Sequence, residues 1–375
     1  MEAPEEEIMD SLWKDLPKDI VEMVLLFLPL ASAMQFKSVA KEWREFLGSN
    51  CHYRTRSAVE QRTPWLFLCT SGKFSCAFDF SLKRWYKILN PPLYRQSIVS
   101  ASGNLVCLGN LVADCRALSL CDPVRKLVKS LPPMSRIQFI HKVSLNLQRD
   151  GAYKIMVVGE NDRAVNNLRG LVTEVYDSKI EIWKMSGETM AEAKFGLDAG
   201  VWINNRFYCI VEMPYGVVIF DQKRDLWEEL EVKMPAGCND MSSPCLVECR
   251  GRLLLVLRNS STESGNGKVQ IWELMKKRGG LKEKKDLEWG LLEEMPENIE
   301  VEFMASSRLG DVSDRLICCG VGEWVCIMTQ LSGSALGFNL VIKKWEWLGK
   351  DPAFPQGRTC HLYAFPLQPI SHCQL

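Results

Sequence analysis

The feature that most constrains this chain is a spacing. An aromatic residue followed by Asp or Asn is answered six residues later by Trp: Phe78-Asp79 by Trp85, Tyr176-Asp177 by Trp183, Phe220-Asp221 by Trp227 and Phe338-Asn339 by Trp345. Cys121-Asp122 followed by Val128 is a degenerate copy, and a further unit runs from Val269–Leu274 across a long insertion to Trp289. Each unit reads as strand, tight turn, strand. Asp or Asn opens the turn because its side chain can bond backbone N–H groups two residues on, and Trp begins an outer strand. A second marker is a turn residue, often followed by Arg, before an apolar run: Gly103-Asn104, Asn205-Arg206, Gly251-Arg252 and Asp314-Arg315. The runs after it are too apolar to be half-solvated and predict strands buried on both faces. A third, Met-Pro or Pro-Met, closes units at 134, 234 and 295, whereas Met213-Pro214 is out of phase.

A unit of about 45–50 residues supplies four strands, one blade of a propeller. Six blades fit, at roughly 64–92, 95–134, 138–190, 197–235, 243–297 and 300–350. The first has room for only three strands after Pro64. The left-over run His361-Leu362-Tyr363-Ala364-Phe365 is predicted to supply its innermost strand, which would close the ring and remove the open edges.

Ahead of the repeat, residues 10–50 read as helical. Pro17 suits a first helical turn, where its missing N–H costs nothing, and Asp19 complements the helix dipole. Ile20, Val24 and Phe27 share one face and Val21, Leu25 and Leu28 another. Pro29 ends this helix. Ser32 with Gln35 reads as a capping box for the next, which carries the stripe Val39, Trp43, Phe46 and ends at Gly48. So short a segment cannot bury two apolar faces within itself. The residues alone leave two readings open: it packs on the rest of this chain, or one face docks another protein.

The order Leu16-Pro17-x-Asp19-Ile20, Val24-Leu25-x-x-Leu28-Pro29, then Val39-x-x-x-Trp43-Arg44-x-Phe46-Leu47, resembles an F-box, with Ala40-Lys41 where that family often has Cys-Lys or Cys-Arg. The resemblance implies three helices that bind a Skp1-type adaptor and, through it, a cullin. Leu16, Pro17, Ile20, Leu25, Leu28, Pro29, Val39 and Trp43 match the positions that make or support that contact. The repeat resembles the kelch-type propeller of plant F-box/kelch proteins, although the paired glycines of many kelch repeats are missing. The residues themselves show a six-fold β repeat, in which Asp79, Trp85, Asp177, Trp183, Asp221, Trp227, Trp289, Asn339 and Trp345 are structural. The expected class is α+β multidomain: a disordered acidic head at 1–9, an F-box at 10–55, a linker at 56–63, an all-β propeller at 64–366 and a tail at 367–375.

Composition narrows the function. Lys+Arg 46 balances Asp+Glu 46, so neither nucleic acid nor a membrane surface is indicated as a partner. The 15 Cys include no Cys-x-x-Cys pair, and the first ten residues carry Glu2, Glu5, Glu6, Glu7 and Asp10 but no base. Free thiols, no secretory leader and a place in the cytoplasm and/or nucleus are therefore expected. None of His52, His141, His361 and His372 has metal-ligand spacing, and neither a P-loop nor Gly-x-Ser-x-Gly occurs, so no metal, cofactor or catalytic residue is expected. The basic run Lys276-Lys277-Arg278 with Lys282, Lys284 and Lys285 reads as a solvated loop rather than an import signal, diluted by Glu283 and Asp286. Asn259-Ser260-Ser261 reads as a polar loop rather than a glycosylated one.

The chain is thus expected to be a non-catalytic substrate-recognition subunit of a Skp1-cullin-F-box ubiquitin ligase. Its target would be held by propeller loops such as Asn161–Arg169, Glu263–Gly267 or Arg308–Ser313. The alternatives are a propeller scaffold outside any ligase and a propeller enzyme with a small molecule in its central channel.

Overall fold

The computed structural model of the chain describes residues 16–368 apart from 29, 50–63, 71–74, 89–96, 110–116, 149, 162–170, 189–193, 197–199, 213, 239–243, 260–266, 278–286, 307–314, 331–333 and 351–361. The acidic head, Pro29, the linker, the tail beyond Gln368 and nearly all of the three expected target loops lie outside the described residues.

Helices α1 (Lys18–Phe27), α2 (Leu30–Phe36) and α3 (Lys41–Gly48) form the first unit. Two local expectations fail here. The segment from Ser32 to Gly48 is two helices, not one: α2 already begins at Leu30, so Ser32 lies inside it and caps nothing. The chain breaks at the turn Lys37–Val39, which the Ser38 hydroxyl fastens by donating to the Gln35 carbonyl at 2.7 Å. Gly48 remains helical, and Ser49, with φ −75°, is the C-cap. No left-handed residue is needed because the chain leaves in an extended direction.

Beyond the linker, every sheet is an antiparallel meander. Blade one is β1 (Trp65–Thr70), β2 (Ser75–Asp79) and β3 (Arg84–Ile88). Blade two is β4 (Ser97–Ser102), β5 (Leu105–Gly109), β6 (Ser119–Asp122) and β7 (Leu127–Ser130). Blade three is β8 (Ile137–Leu147), β9 (Tyr153–Asn161), β10 (Leu171–Asp177) and β11 (Ile182–Glu188). In blade four the inner position is split between β12 (Lys194–Phe195) and β13 (Val201–Ile203), both paired with β14 (Arg206–Glu212), followed by β15 (Gly216–Asp221) and β16 (Leu226–Glu229). Blade five is β17 (Cys245–Cys249), β18 (Arg252–Asn259), β19 (Lys268–Lys276) and β20 (Leu287–Glu294). Blade six is β21 (Leu316–Val321), β22 (Trp324–Thr329), β23 (Ser334–Asn339) and β24 (Lys344–Lys350). The last strand, β25 (Leu362–Leu367), pairs with β1 from Trp65↔Leu367 to Thr70↔Leu362 and completes blade one, as the left-over apolar run predicts. The result is a six-bladed propeller behind a three-helix unit.

The repeat now has a physical account. The aromatic and the Trp are direct cross-strand partners in Phe78↔Trp85, Tyr176↔Trp183, Phe220↔Trp227 and Phe338↔Trp345, with ring centroids 4.8–5.3 Å apart. Between them the acid closes an Asx turn: Oδ1 of Asp79, Asp122, Asp177, Asp221 and Asn339 accepts from the N–H two residues on at 2.8–3.0 Å. Two residues later the chain turns left-handed at Lys83, Lys126, Glu181, Asp225 and Lys343.

The second marker is explained in part. Asn104, just before a second strand, and Arg206 and Arg252, which begin second strands, reach an acid of the third strand, at Asp122 (2.8 Å), Asp221 (2.9 Å) and Glu273 (2.6 Å). The Asp314-Arg315 example is misplaced, since it precedes β21, an innermost strand; the second strand of that blade follows Gly322. A helix that the repeat does not foretell, α4 (Glu297–Ser306), fills the connection from blade five to blade six and buries Phe303 in the core cluster that also holds Phe338 and Leu340.

Candidate functional site

Two surfaces could recognise another molecule, one on the helices and one at the propeller axis. In the helical unit, Leu25, Ala33 and Leu47 are buried and are surrounded by Val21, Leu28, Phe36, Trp43 and Phe46; Phe36 and Trp43 rings lie 5.3 Å apart. That core uses one face of α1. The other face stays bare: Ile20, Met23, Val24 and Phe27, at i, i+3, i+4 and i+7, are 41%, 52%, 37% and 67% exposed. Such a stripe normally faces a core, and here no element of the described chain covers it. Val39, in the α2–α3 turn, is 64% exposed.

The expected adaptor-binding residues therefore divide. Leu16, Pro17, Ile20 and Val39 lie at the surface, while Leu25 is buried and Leu28 and Trp43 are half-buried in the small core that shapes it. Met23, Val24 and Phe27 belong to the bare face but were not among the expected contacts; their spacing with Ile20 was the signal available in the sequence. The turn of this unit comes close to the propeller. Burial first, and then the charges of Arg125 and Lys126 in the blade-two turn, push the Lys37 ammonium below its ordinary pKa.

At the axis, innermost strands from all six blades enclose a cavity of about 720 Å³. Its wall mixes small residues and hydroxyls with Leu145, Trp202, Leu246 and Phe365: Ser100 Oγ accepts from Leu145 N–H at 2.9 Å, and Ser144 Oγ from Trp202 Nε1 at 2.6 Å. The Arg250–Glu323 pair (2.9 Å) stands at its lip. In a meander the first-to-second and third-to-fourth strand turns share one end, and Arg250, Gly322, Gly103 and Pro64 place the mouth at that end, where the chain enters from the linker.

The described residues hold no cluster of three or more His, Cys, Asp or Glu suited to a metal. Their cysteines are free and mostly buried. Burial raises the thiols of Cys107, Cys121 and Cys249 to about 12, so they carry no thiolate near neutral pH. His141 pairs with Glu160 at 3.1 Å on the surface. No described helix is long and apolar enough to cross a membrane.

Comparison with known proteins agrees with this layout. The F-box domain family matches residues 13–55 and the family described as "KIB1-4 beta-propeller" matches residues 77–308. The chain is 26% identical to F-box only protein 6 of Arabidopsis thaliana over 368 residues, 93% of this chain and 72% of that protein. It is 26% identical to the F-box/kelch-repeat protein At3g61590 of the same plant, over 96% of this chain and 87% of that one. It is also 22% identical to Protein UNUSUAL FLORAL ORGANS of Arabidopsis thaliana, over 91% and 79%. With its three helices, six closed blades and these matches, the chain belongs to the F-box proteins of the KIB1-4 beta-propeller family and has the domain pair of an F-box/kelch-type recognition protein.

Proposed function

We propose that the chain is the substrate-recognition subunit of a Skp1-cullin-F-box ubiquitin ligase. The bare face of α1, with Leu16, Pro17 and Val39 beside it, takes the Skp1-type adaptor, and the propeller holds the target protein. The observation that carries this reading is the stripe Ile20, Met23, Val24, Phe27, apolar and uncovered on a helix whose opposite face is already in a core. Burying each such side chain supplies about 1.5–3 kcal/mol before association costs are subtracted. The chain would act by proximity, holding the target near a charged conjugating enzyme. No residue of its own performs chemistry in this reading. The free thiols fit the reducing cytoplasm or nucleus where such a complex works.

The test is co-purification of full-length protein with a recombinant Skp1-type adaptor. Wild type should form a stable complex, and Ile20→Glu/Phe27→Glu should lose it with the circular dichroism unchanged. A wild-type chain that captures no adaptor overturns the reading in favour of a scaffold outside the ligase.

A further inference from the structure

The chain is neutral as a whole, but one end of the propeller gathers an exposed cation from every blade. Each third-to-fourth strand connection bears exposed cations at the tight-turn end: Arg84, Lys126, Lys179, Lys223, Lys277 and Lys344, one from each blade. The Asx acids of these turns point inward and are used up by backbone N–H groups. Most other acids here are also engaged, Glu288 at the start of β20 being exposed. Asp150 pairs with Lys179 (2.6 Å), Glu181 with Lys129 (2.6 Å) and Glu323 with Arg250 (2.9 Å), while Asp225 accepts from Ser186. Among the described residues no acid pairs with Arg84, Lys126, Lys223, Lys277 or Lys344. The opposite end is mixed, with Glu229, Glu231 and Glu297 exposed beside Arg136, Lys233, Lys268 and Arg315.

The cationic end also carries exposed aliphatic side chains at its turn tips: Leu82 in blade one, Ile180 in blade three, and Val341 and Ile342 in blade six. Single exposed aliphatics mean little. Here they stand on the same turns as Arg84, Lys179 and Lys344, at the end where the cavity opens. We propose that this end of the propeller is a recognition surface for an acidic polypeptide segment with aliphatic residues among its acids, lying across the mouth of the central cavity. The proposal rests on the recognition reading above and names the class of target.

Three observations favour a polypeptide. Single-stranded nucleic acid needs exposed aromatic platforms, whereas the repeat Trp residues face inward: Nε1 of Trp85, Trp183 and Trp227 donates to the preceding blade at Leu348 O, Pro132 O and Thr173 Oγ1. A bilayer is flat, but this end is concave at its centre and has the helical unit beside blade two. An extended peptide can follow the ring and send a side chain into a cavity of about 720 Å³.

The probe is a fluorescein-labelled peptide alternating Glu with Leu and Ser, titrated with full-length protein and read by anisotropy. Lys-for-Glu peptide, single-stranded RNA and phosphatidylserine vesicles serve as comparisons. Saturable binding of the acidic peptide is expected, weakened at least about tenfold by raising salt from about 0.05 to 0.5 M. Arg84→Glu/Lys223→Glu/Lys344→Glu should weaken it at least about tenfold, while Glu229→Lys/Glu231→Lys/Glu297→Lys at the other end should not. If the triple reversal fails to fold, the single variants and the salt titration on wild type decide. Absent binding, binding indifferent to rim charge and salt, or preference for RNA or vesicles overturns the proposal. Adaptor capture measured on the same samples keeps the two readings apart: Ile20→Glu/Phe27→Glu should lose the adaptor and keep the peptide, and the rim variant should do the reverse.

Discussion

Trp227 joins three kinds of contact at one residue. Its ring packs on Phe220 at 5.3 Å and Phe195 at 5.7 Å, and its Nε1 donates to Thr173 Oγ1 of the preceding blade at 3.0 Å. Trp227→Phe keeps the packing and loses the bond, for about 1 kcal/mol, and Trp227→Ala loses both, for about 3–5 kcal/mol. Urea unfolding of the two variants should show that ordering. Glu174 is a second such residue, and nothing in the repeat announces it. Burial by itself would raise its pKa. The backbone N–H groups of Ser135, Ile137 and Arg136, with the Ser135 hydroxyl, donate to its carboxylate at 2.7–3.0 Å and hold the pKa below the ordinary 4.5. A depressed pKa means that Glu174 stabilises the fold fully above its unfolded-state value, and that this contribution disappears as pH falls through the folded value. Stability of wild type should therefore drop between about pH 5 and 3 by more than that of Glu174→Gln. Equal slopes in urea titrations at those pH values would refute the assignment.

At the scale of elements, α1 has one face in a core and one bare, and substitutions on each should separate folding from the proposed adaptor capture. Leu25→Ala empties the core shared with Ala33 and Leu47 and should cost about 2–5 kcal/mol, seen as loss of helical signal or proteolysis of the segment. Ile20→Glu/Phe27→Glu should leave the helices intact and remove only adaptor capture. Innermost strands of blades five and six approach closely at Gly320. A Cβ on Gly320 of β21 would lie 1.7 Å from the Glu248 carbonyl oxygen of β17, so Gly320→Ala has to push blades five and six apart. We expect a loss of at least about 1–3 kcal/mol in thermal or urea unfolding. The helix boundaries show where local signals fall short. The Ser32–Gln35 capping pattern satisfies a local rule, yet Leu30 already starts the helix, and Ser38 closes the turn instead.

At the scale of the whole molecule, the ring depends on one seam. β25 enters blade one from the far end of the sequence and pairs along its length with β1. Ending the chain at residue 361 would leave β1 an exposed edge and uncover Phe67 and Cys69, which pack with Phe365. A broad, low-temperature melt with aggregation should replace a single cooperative transition in calorimetry, whereas ending it after Gln368 should leave the transition sharp. Much of this architecture was legible beforehand, because the aromatic, the acid and the Trp of a unit lie within a few residues and their cross-strand pairing follows from a single turn. The bare face of α1 was legible in part: the i, i+3, i+4, i+7 run from Ile20 to Phe27 marks an apolar stripe. Periodicity cannot say which of two apolar faces a core will cover, so Leu25, Leu28 and Trp43 stood beside Ile20 and Val39 in one list.

By itself, then, the sequence determined the blade count, the outer-strand Trp residues, the Asx turns and the presence of helices before the ring, all of which depend on contacts between residues close along the chain. Only the tertiary structure decided which face of α1 is bare, that α4 plugs the connection between blades five and six, that Glu174 is held by a loop 37–39 residues away, and that cations scattered over six turns share one end of a neutral molecule. Those features depend on which distant segments closure of the ring brings together, and no local pattern encodes that.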